Sequence, residues 1–398
     1  MNTEDRNEKG NRNERGHGHG HGLNAVVIGG GVAGAASAIA LRRIGADVTV
    51  YEAYQDPAGT VGSFVSLTTN GLRALDTLGV LPAVQQAGFP VERQRMWSGR
   101  GKLLGDVPRS RRPEETLRSV TLLRGDLVAT LRAQAIAAGA RILTGERMTP
   151  DAIRTHAEHA DVLIGADGIW STTRGVVDPA APAPHYGGIY HVSGIAEGLT
   201  PDSDSQTAAF NMTFGRHGAF IHLPAPDGTI WWSAQVSAPN PPADVHAVTL
   251  ADLTGLYRTE PQPLTILRAA TTIRSATLDH VLPPVTHRHR DGRIVLLGDA
   301  AHPAGAGQGA SMAIEDAVVL ARRLHTEPTI EAALTAYDQE RQPRAGKLAK
   351  AATANRDAKT AGPIAAHMRD LITPLFFTRM YPKATDWLYT YDAGTLTT

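Results

Sequence analysis

Residues 24–53 read NAVVIGGGVAGAASAIALRRIGADVTVYEA. A short apolar run at 25–28 meets a glycine turn. Helix-favouring residues follow at 35–43, until Gly45 breaks them. A second strand-like run, 47–51, ends at Glu52. The pattern predicts strand, turn, helix and strand, the opening unit of a doubly wound α/β fold. Gly29, Gly31 and Gly34 match G-x-G-x-x-G, and each has a physical task. Gly29 permits the tight turn, Gly31 lets a pyrophosphate approach the backbone, and Gly34 lets the helix pack close to the strand. The free N–H groups at the helix start favour an anion. Glu52, 18 residues after Gly34, stands where it accepts hydrogen bonds from a ribose diol. An acid there disfavours a 2′-phosphate, which prefers arginine. The turn alone does not separate FAD from NAD.

Two segments further along repeat the theme. In ADVLIGADGIWSTTR (160–174) a strand runs into Gly165, Asp167 and Gly168, with Ser171 placed as a helix cap and Arg174 beyond. In IVLLGDAAHPAGAGQGASMAIEDAVVLARRL (294–324) an apolar run ends at Asp299, and Gly305, Gly307 and Gly309 precede a long helix. Small residues at 304–309 let a flat ring lie against main chain, where Cβ atoms would clash. The start of the helix favours negative charge on that ring. Glu315 and Asp316 read as ordinary first-turn acids, and the bland reading of Arg124 and Arg174 is an exposed arginine.

Taken in order, the glycine turn at 29–34, the Asp-Gly pair at 167–168 and the Gly-Asp pair at 298–299 resemble the class A flavoprotein monooxygenases, the para-hydroxybenzoate hydroxylase family. The resemblance covers about residues 23–345, with lesser matches at 62–80, 122–131 and 337–345. It implies FAD, bound tightly and non-covalently, and NAD(P)H as a transient reductant with no Rossmann domain of its own. By resemblance Asp299 hydrogen-bonds the ribityl chain and Pro303 lies near the isoalloxazine ring. Gly307, Gln308 and Gly309 face the pyrimidine end of that ring. Arg124 contacts the flavin, and Asp167 serves both FAD and nicotinamide. The implied reaction is hydroxylation of an aromatic or polyketide-like molecule by O2 through a flavin C4a-hydroperoxide. The same fold also hosts epoxidation, Baeyer–Villiger oxidation and non-redox cyclisation, and a redox-inert FAD-binding module is the rival from another class. Two departures stand out. Ala53 follows Glu52 where the family often has arginine, and 142–161 is shorter than the usual β-hairpin region.

Residues 180–285 alternate like strands and carry turn signals such as Pro226-Asp227-Gly228. They predict an antiparallel sheet with one face forming a wall of the substrate cavity. The candidates for that wall are Tyr190, Asn211, Phe220, His222, Trp231 and Gln235. Asn211, His222, Trp231 and Gln235 carry the catalytic expectation, although no acid or base is named. His222 is either a base beside a substrate hydroxyl or a core histidine, and the core reading is preferred. Trp231 and Trp232 point to opposite faces. Arg216 and His217 lie near, but the cavity is not strongly cationic in sequence, so the substrate is expected to be a bulky, apolar aromatic more than a small carboxylate.

The expected fold is α/β: a Rossmann-like FAD-binding domain with an antiparallel β-sheet substrate domain and C-terminal helices. The expected division is a disordered tail at 1–22, an FAD-binding part at 23–179 with an excursion near 80–115, and a substrate part at 180–285. A second FAD-binding part follows at 286–328 and a helical segment at 329–398. Lys plus Arg equals Asp plus Glu, 39 each, which gives no electrostatic reason to expect nucleic acid or an anionic membrane. Cysteine is absent, which excludes disulfides and thiolate metal sites and fits a reducing, cytoplasmic setting. No metal is expected; His17, His19 and His21 belong to the polar tail. No apolar run is long enough to span a membrane. The partners expected are a small-molecule substrate and O2, with the protein a monomer or homodimer.

Overall fold

The computed structural model describes residues 22–56, 63–110, 112, 114–199, 209–283, 290–303, 307–359, 374, 377 and 380–396. The expectations for residues 1–21 of the tail and for Gly305 lie outside the described residues.

A mixed sheet carries the three motifs. Its strands are β1 (Asn24–Ile28), β2 (Asp47–Glu52), β8 (Arg141–Thr144), β9 (Val162–Gly165), β15 (Arg290–Asp291) and β16 (Ile294–Leu296), in the order β15-β16-β9-β1-β2-β8. β15 joins antiparallel; the other pairs are parallel. Side chains alternate between two apolar layers, as a sheet covered on both faces requires. Ala25, Val27, Val162, Ile164 and Val295 enter one layer, and Val26, Ile28, Leu163, Ile294 and Leu296 the other. The first layer packs on helices α1 (Val32–Arg43) and α9 (Gly309–Thr326), the second on α5 (Pro150–His159) and α6 (Thr172–Val177). Residues 150–159, in the stretch expected to be shorter than the family's usual hairpin region, form helix α5. Thr149 caps that helix by accepting a hydrogen bond from the Ala152 N–H.

Register decides where the motifs meet. Ile28 lies opposite Gly165, and Gly165 opposite Leu296. The turns that follow β1, β9 and β16 therefore leave the sheet at one edge, the C-terminal edge where doubly wound sheets bind ligands.

A seven-stranded sheet has the order β14-β10-β13-β12-β11-β5-β6. β10 (His185–Ala196), β11 (Ala209–Gly215), β12 (Gly218–Pro224), β13 (Ile230–Ser237) and β14 (Ala270–Val281) come from the middle of the chain. β5 (Arg93–Ser98) and β6 (Leu103–Pro108) come from the excursion. Every pair is antiparallel except β11–β5, because β5 reaches the sheet from an earlier part of the chain rather than through a hairpin. Helices α7 (Leu250–Leu256) and α8 (Pro261–Ala269) cover one face with an apolar cluster that includes Phe220, Trp232 and Tyr257. The three-stranded sheet β3 (Phe64–Leu67), β7 (Ser119–Leu123) and β4 (Phe89–Val91) links the two larger ones. Helices α2 (Thr69–Thr77), α3 (Leu81–Ala87) and α4 (Arg124–Ala137) join it, and α10 (Ile330–Lys359) and α11 (Tyr381–Tyr389) close the described chain. Among the described residues no helix is long and apolar enough to cross a membrane.

Candidate active site

A cavity of about 980 Å³ opens at the C-terminal edge of the motif-bearing sheet and reaches the seven-stranded sheet. Gly29, Gly31, Glu52, Arg124, Asp167, Asp299, Gly307, Gln308 and Gly309 all line it. Gly34 and Pro303 are not among its lining residues. Gly34 acts on packing: a Cβ there would stand 1.8 Å from the carbonyl oxygen of Gly29. Gly29 holds φ +97°, and a Cβ on it would meet the Ala166 carbonyl oxygen at 2.5 Å. Gly31 faces open space, so the backbone stays bare toward the cavity.

The donors fit a dinucleotide. Helices α1 and α9 both begin without a side-chain cap and without an acid in the first turn. Their first residues line the cavity, leaving N–H groups that call for an acceptor. Buried Glu52 accepts from the Gly30 N–H at 2.6 Å and from the Tyr54 N–H at 3.0 Å. Arg132 of α4 lies 3.2 Å from its carboxylate and donates to the Gly30 carbonyl at 2.6 Å. Arg132 escaped the sequence reading; the signal was that a buried carboxylate needs a cation. Burial draws the Arg132 guanidinium below its ordinary range, against the opposing pull of Glu52.

Asp167 accepts from the Ser171 hydroxyl at 2.6 Å and from the N–H and hydroxyl of Thr173 at 2.9 and 3.0 Å. Arg174 is buried rather than exposed. It donates to the carbonyls of Ile169 and Ala300 at 2.5 and 3.1 Å, stapling the second motif to the third.

Glu315 and Asp316 are fully buried, so they are not ordinary first-turn acids. Asp316 accepts from the Gly298 N–H at 3.0 Å, lies 2.7 Å from the His302 imidazole, and accepts from Arg341 at 2.7 Å. Arg344 grips Glu315 through two donors at 2.7 Å, and Asn70 adds a third bond at 2.6 Å. The match at 337–345 thus supplies arginines that neutralise two buried acids and fix the turn before α9. Burial works against the charge on Asp316, but His302 and Arg341 outweigh it and hold the carboxyl below its ordinary range. Burial likewise opposes charge on His302, and Asp316 outweighs it and raises the imidazole.

On β10, β11 and β12 the wall differs from expectation by one residue. In β12, Ala219, Ile221 and Leu223 share the apolar layer of Phe210 and Met212, whereas Phe220 joins the helix-covered layer. His222 therefore faces away from the cavity, beside Phe220 and opposite Asn211 and Trp232. Burial pushes its imidazole down to about 3. Asn211 also faces away and accepts from the Trp97 indole N–H at 3.0 Å. Tyr190 and Phe220 belong to the helix-covered cluster. Trp231 is on the other face but packs on Phe89 and Phe64, with ring centroids 5.2 and 6.1 Å away, and does not line the cavity. Of the six wall candidates, Gln235 lines it, directly opposite His191. His191, one residue from the expected Tyr190, also lines it, as do Arg109, Phe210, Met212 and Ile221.

A sequence model of a family described as the FAD binding domain matches residues 23–352. The chain belongs to this family. Its cofactor is FAD, and its general activity is that of an FAD-dependent monooxygenase. The chain is 32% identical over 342 residues to the aurachin C monooxygenase/isomerase of Stigmatella aurantiaca, covering 81% of this chain and 86% of that protein. It is 30% identical over 348 residues to the 3-amino-4-hydroxybenzoate 2-monooxygenase of Streptomyces cremeus, covering 82% and 85%. Among solved structures it resembles Klebsiella pneumoniae HpxO complexed with FAD and uric acid, with a TM-score of 0.77 at 23% identity, over 92% of this chain and 96% of that one. That last likeness speaks for the fold.

Proposed function

We propose that this monooxygenase uses NAD(P)H and O2 to hydroxylate an aromatic small molecule. The observation that carries the reading is a single cavity joining all three cofactor motifs to an apolar wall of Phe210, Met212 and Ile221. When bound, FAD supplies two-electron chemistry with dioxygen and delivery of one oxygen atom to an electron-rich carbon. The protein supplies position, a dry wall and charge.

In this reading the N–H groups at the start of α1 bind pyrophosphate, and Glu52 binds a ribose diol. Asp299 holds the ribityl chain. Gly307, Gln308 and Gly309 carry the pyrimidine end of the ring, where the start of α9 stabilises negative charge. Arg124 contacts the flavin. The buried Asp316–His302–Arg341 group positions this turn without touching the cofactor. Lys359 lines the cavity near Asp279, and burial pushes its ammonium down to about 8 against the pull of Asp279. A group that exchanges protons near neutral pH suits removal of a phenolic proton.

The test is reductant oxidation and oxygen uptake by the purified holoprotein across a panel of aromatics. The reading expects NADH or NADPH to be consumed faster when an accepted aromatic is present. A retained flavin that neither reductant bleaches, with any aromatic, contradicts it.

A further inference from the structure

Arginines in the core of this chain are matched to acceptors. Arg344 and Arg341 meet carboxylates, Arg132 meets Glu52, and Arg174 meets two carbonyls. Arg109, which follows β6, is different. It is 8% exposed and lines the cavity. Its guanidinium lies 3.7 Å from the centroid of the Phe210 ring, and one terminal nitrogen donates to the neutral Gln94 amide oxygen at 2.9 Å. Among the described residues its Nε has no partner and no carboxylate pairs with it. The hydroxyls of Tyr381 and Tyr389, 3.4 Å apart, stand nearby and also belong to lining residues.

This corner is held rigidly. Ser110 has φ +52°, a left-handed conformation that an L side chain adopts at a cost. The Thr69 hydroxyl is bonded to the carbonyls of Ser110 and Tyr389 at 2.7 and 3.0 Å. Outside the cavity, Arg112 grips Asp386 through two bonds of 2.5 and 2.6 Å, clamping α11 to the segment that carries Arg109. A buried guanidinium without an anion carries a desolvation cost that an anionic ligand would offset. Burial already pulls it down to about 10.

We propose that Arg109, with Gln94, Tyr381 and Tyr389, forms a carboxylate-binding subsite, and that the substrate is an aromatic acid whose ring lies on Phe210 and Met212. The proposal rests on the monooxygenase reading and narrows its substrate class. It replaces the apolar substrate suggested by sequence, which placed the nearby cations at Arg216 and His217 rather than at Arg109.

The experiment titrates FAD-loaded protein with benzoate, 1-naphthoate and indole-3-carboxylate, each paired with its carboxamide, and follows the flavin absorption bands. At least one acid is expected to bind about 30-fold or more tightly than its amide. Arg109→Met should erase that difference while leaving the amide within threefold, and Arg109→Lys should restore part of it. Tyr381→Phe serves as a milder variant, with a loss of about threefold for the acid. Retained flavin with no acid–amide pair differing by threefold overturns the subsite alone. A preference that survives Arg109→Met also overturns it. Protein that retains no flavin overturns the underlying reading, and the subsite with it.

Discussion

The turns after β1, β9 and β16 and the face of β10–β13 line the same cavity, yet their residues are specified on different scales. Each turn is written in a few consecutive positions. Gly29 holds a positive φ with the Ala166 carbonyl where a Cβ would stand, and Gly34 must be bare because the Gly29 carbonyl touches it. The wall depends on pairing between strands far apart in the chain, such as β11 with β5. A shift of one residue moves every side chain to the other face. A local motif is therefore sensitive to a single methyl group, whereas a wall position matters only through the side it faces.

The largest effect expected is at the buried charges behind the third turn. Asp316→Ala should cost about 3–5 kcal/mol of stability, because it removes the anion beside His302 and leaves Arg341 with Glu315 alone. The pH dependence sharpens this. The Asp316 carboxyl is lower in the folded chain, so its contribution is complete above about pH 4 and is lost at lower pH as it takes up a proton. The His302 imidazole is raised, so its contribution is complete below about pH 6.5 and is lost at higher pH as the proton leaves. Melting curves should show both limbs, and His302→Gln should remove the alkaline one.

Gly34→Ala comes next. Its Cβ meets backbone at 1.8 Å, which should cost about 1–3 kcal/mol and sharply lower the FAD retained through gel filtration. His222→Leu tests the wall. The wild-type imidazole, pushed down to about 3 by burial, takes up a proton far more readily once unfolded. Wild type should therefore lose about 2 kcal/mol relative to the variant between pH 7 and pH 5, read from denaturant midpoints. Substrate affinity should not change. The smallest contrast is between two wall polar residues. Gln235→Leu should alter ligand-induced changes in the flavin spectrum about three- to tenfold, and Asn211→Leu should leave them unchanged. An effect of Asn211 on ligand affinity would break the assignment of faces.

Much of the fold was legible because apolar runs and glycine turns are local signals. The first strand, helix and second strand, and the strand–helix unit around Asp299, follow from periodicity and small residues alone. What escaped was tertiary. Nothing near Glu52 announces Arg132, which arrives from α4, and nothing near Asp316 announces Arg341, 25 residues on. Alternation shows which residues share a face but not which face meets the cavity, so the sequence points to Tyr190 where the structure lines the cavity with His191. Arg109 went unread because it sits in the excursion, whose strands join the wall only through pairing with β11.

The most direct measurement of the central claim is the mass of the product formed under 18O2 by the FAD-loaded protein with NAD(P)H and an accepted aromatic acid. The account predicts a product two mass units heavier than under ordinary oxygen, carrying one labelled atom per turnover. A product whose new oxygen comes from water, or a product with no added oxygen, would contradict it.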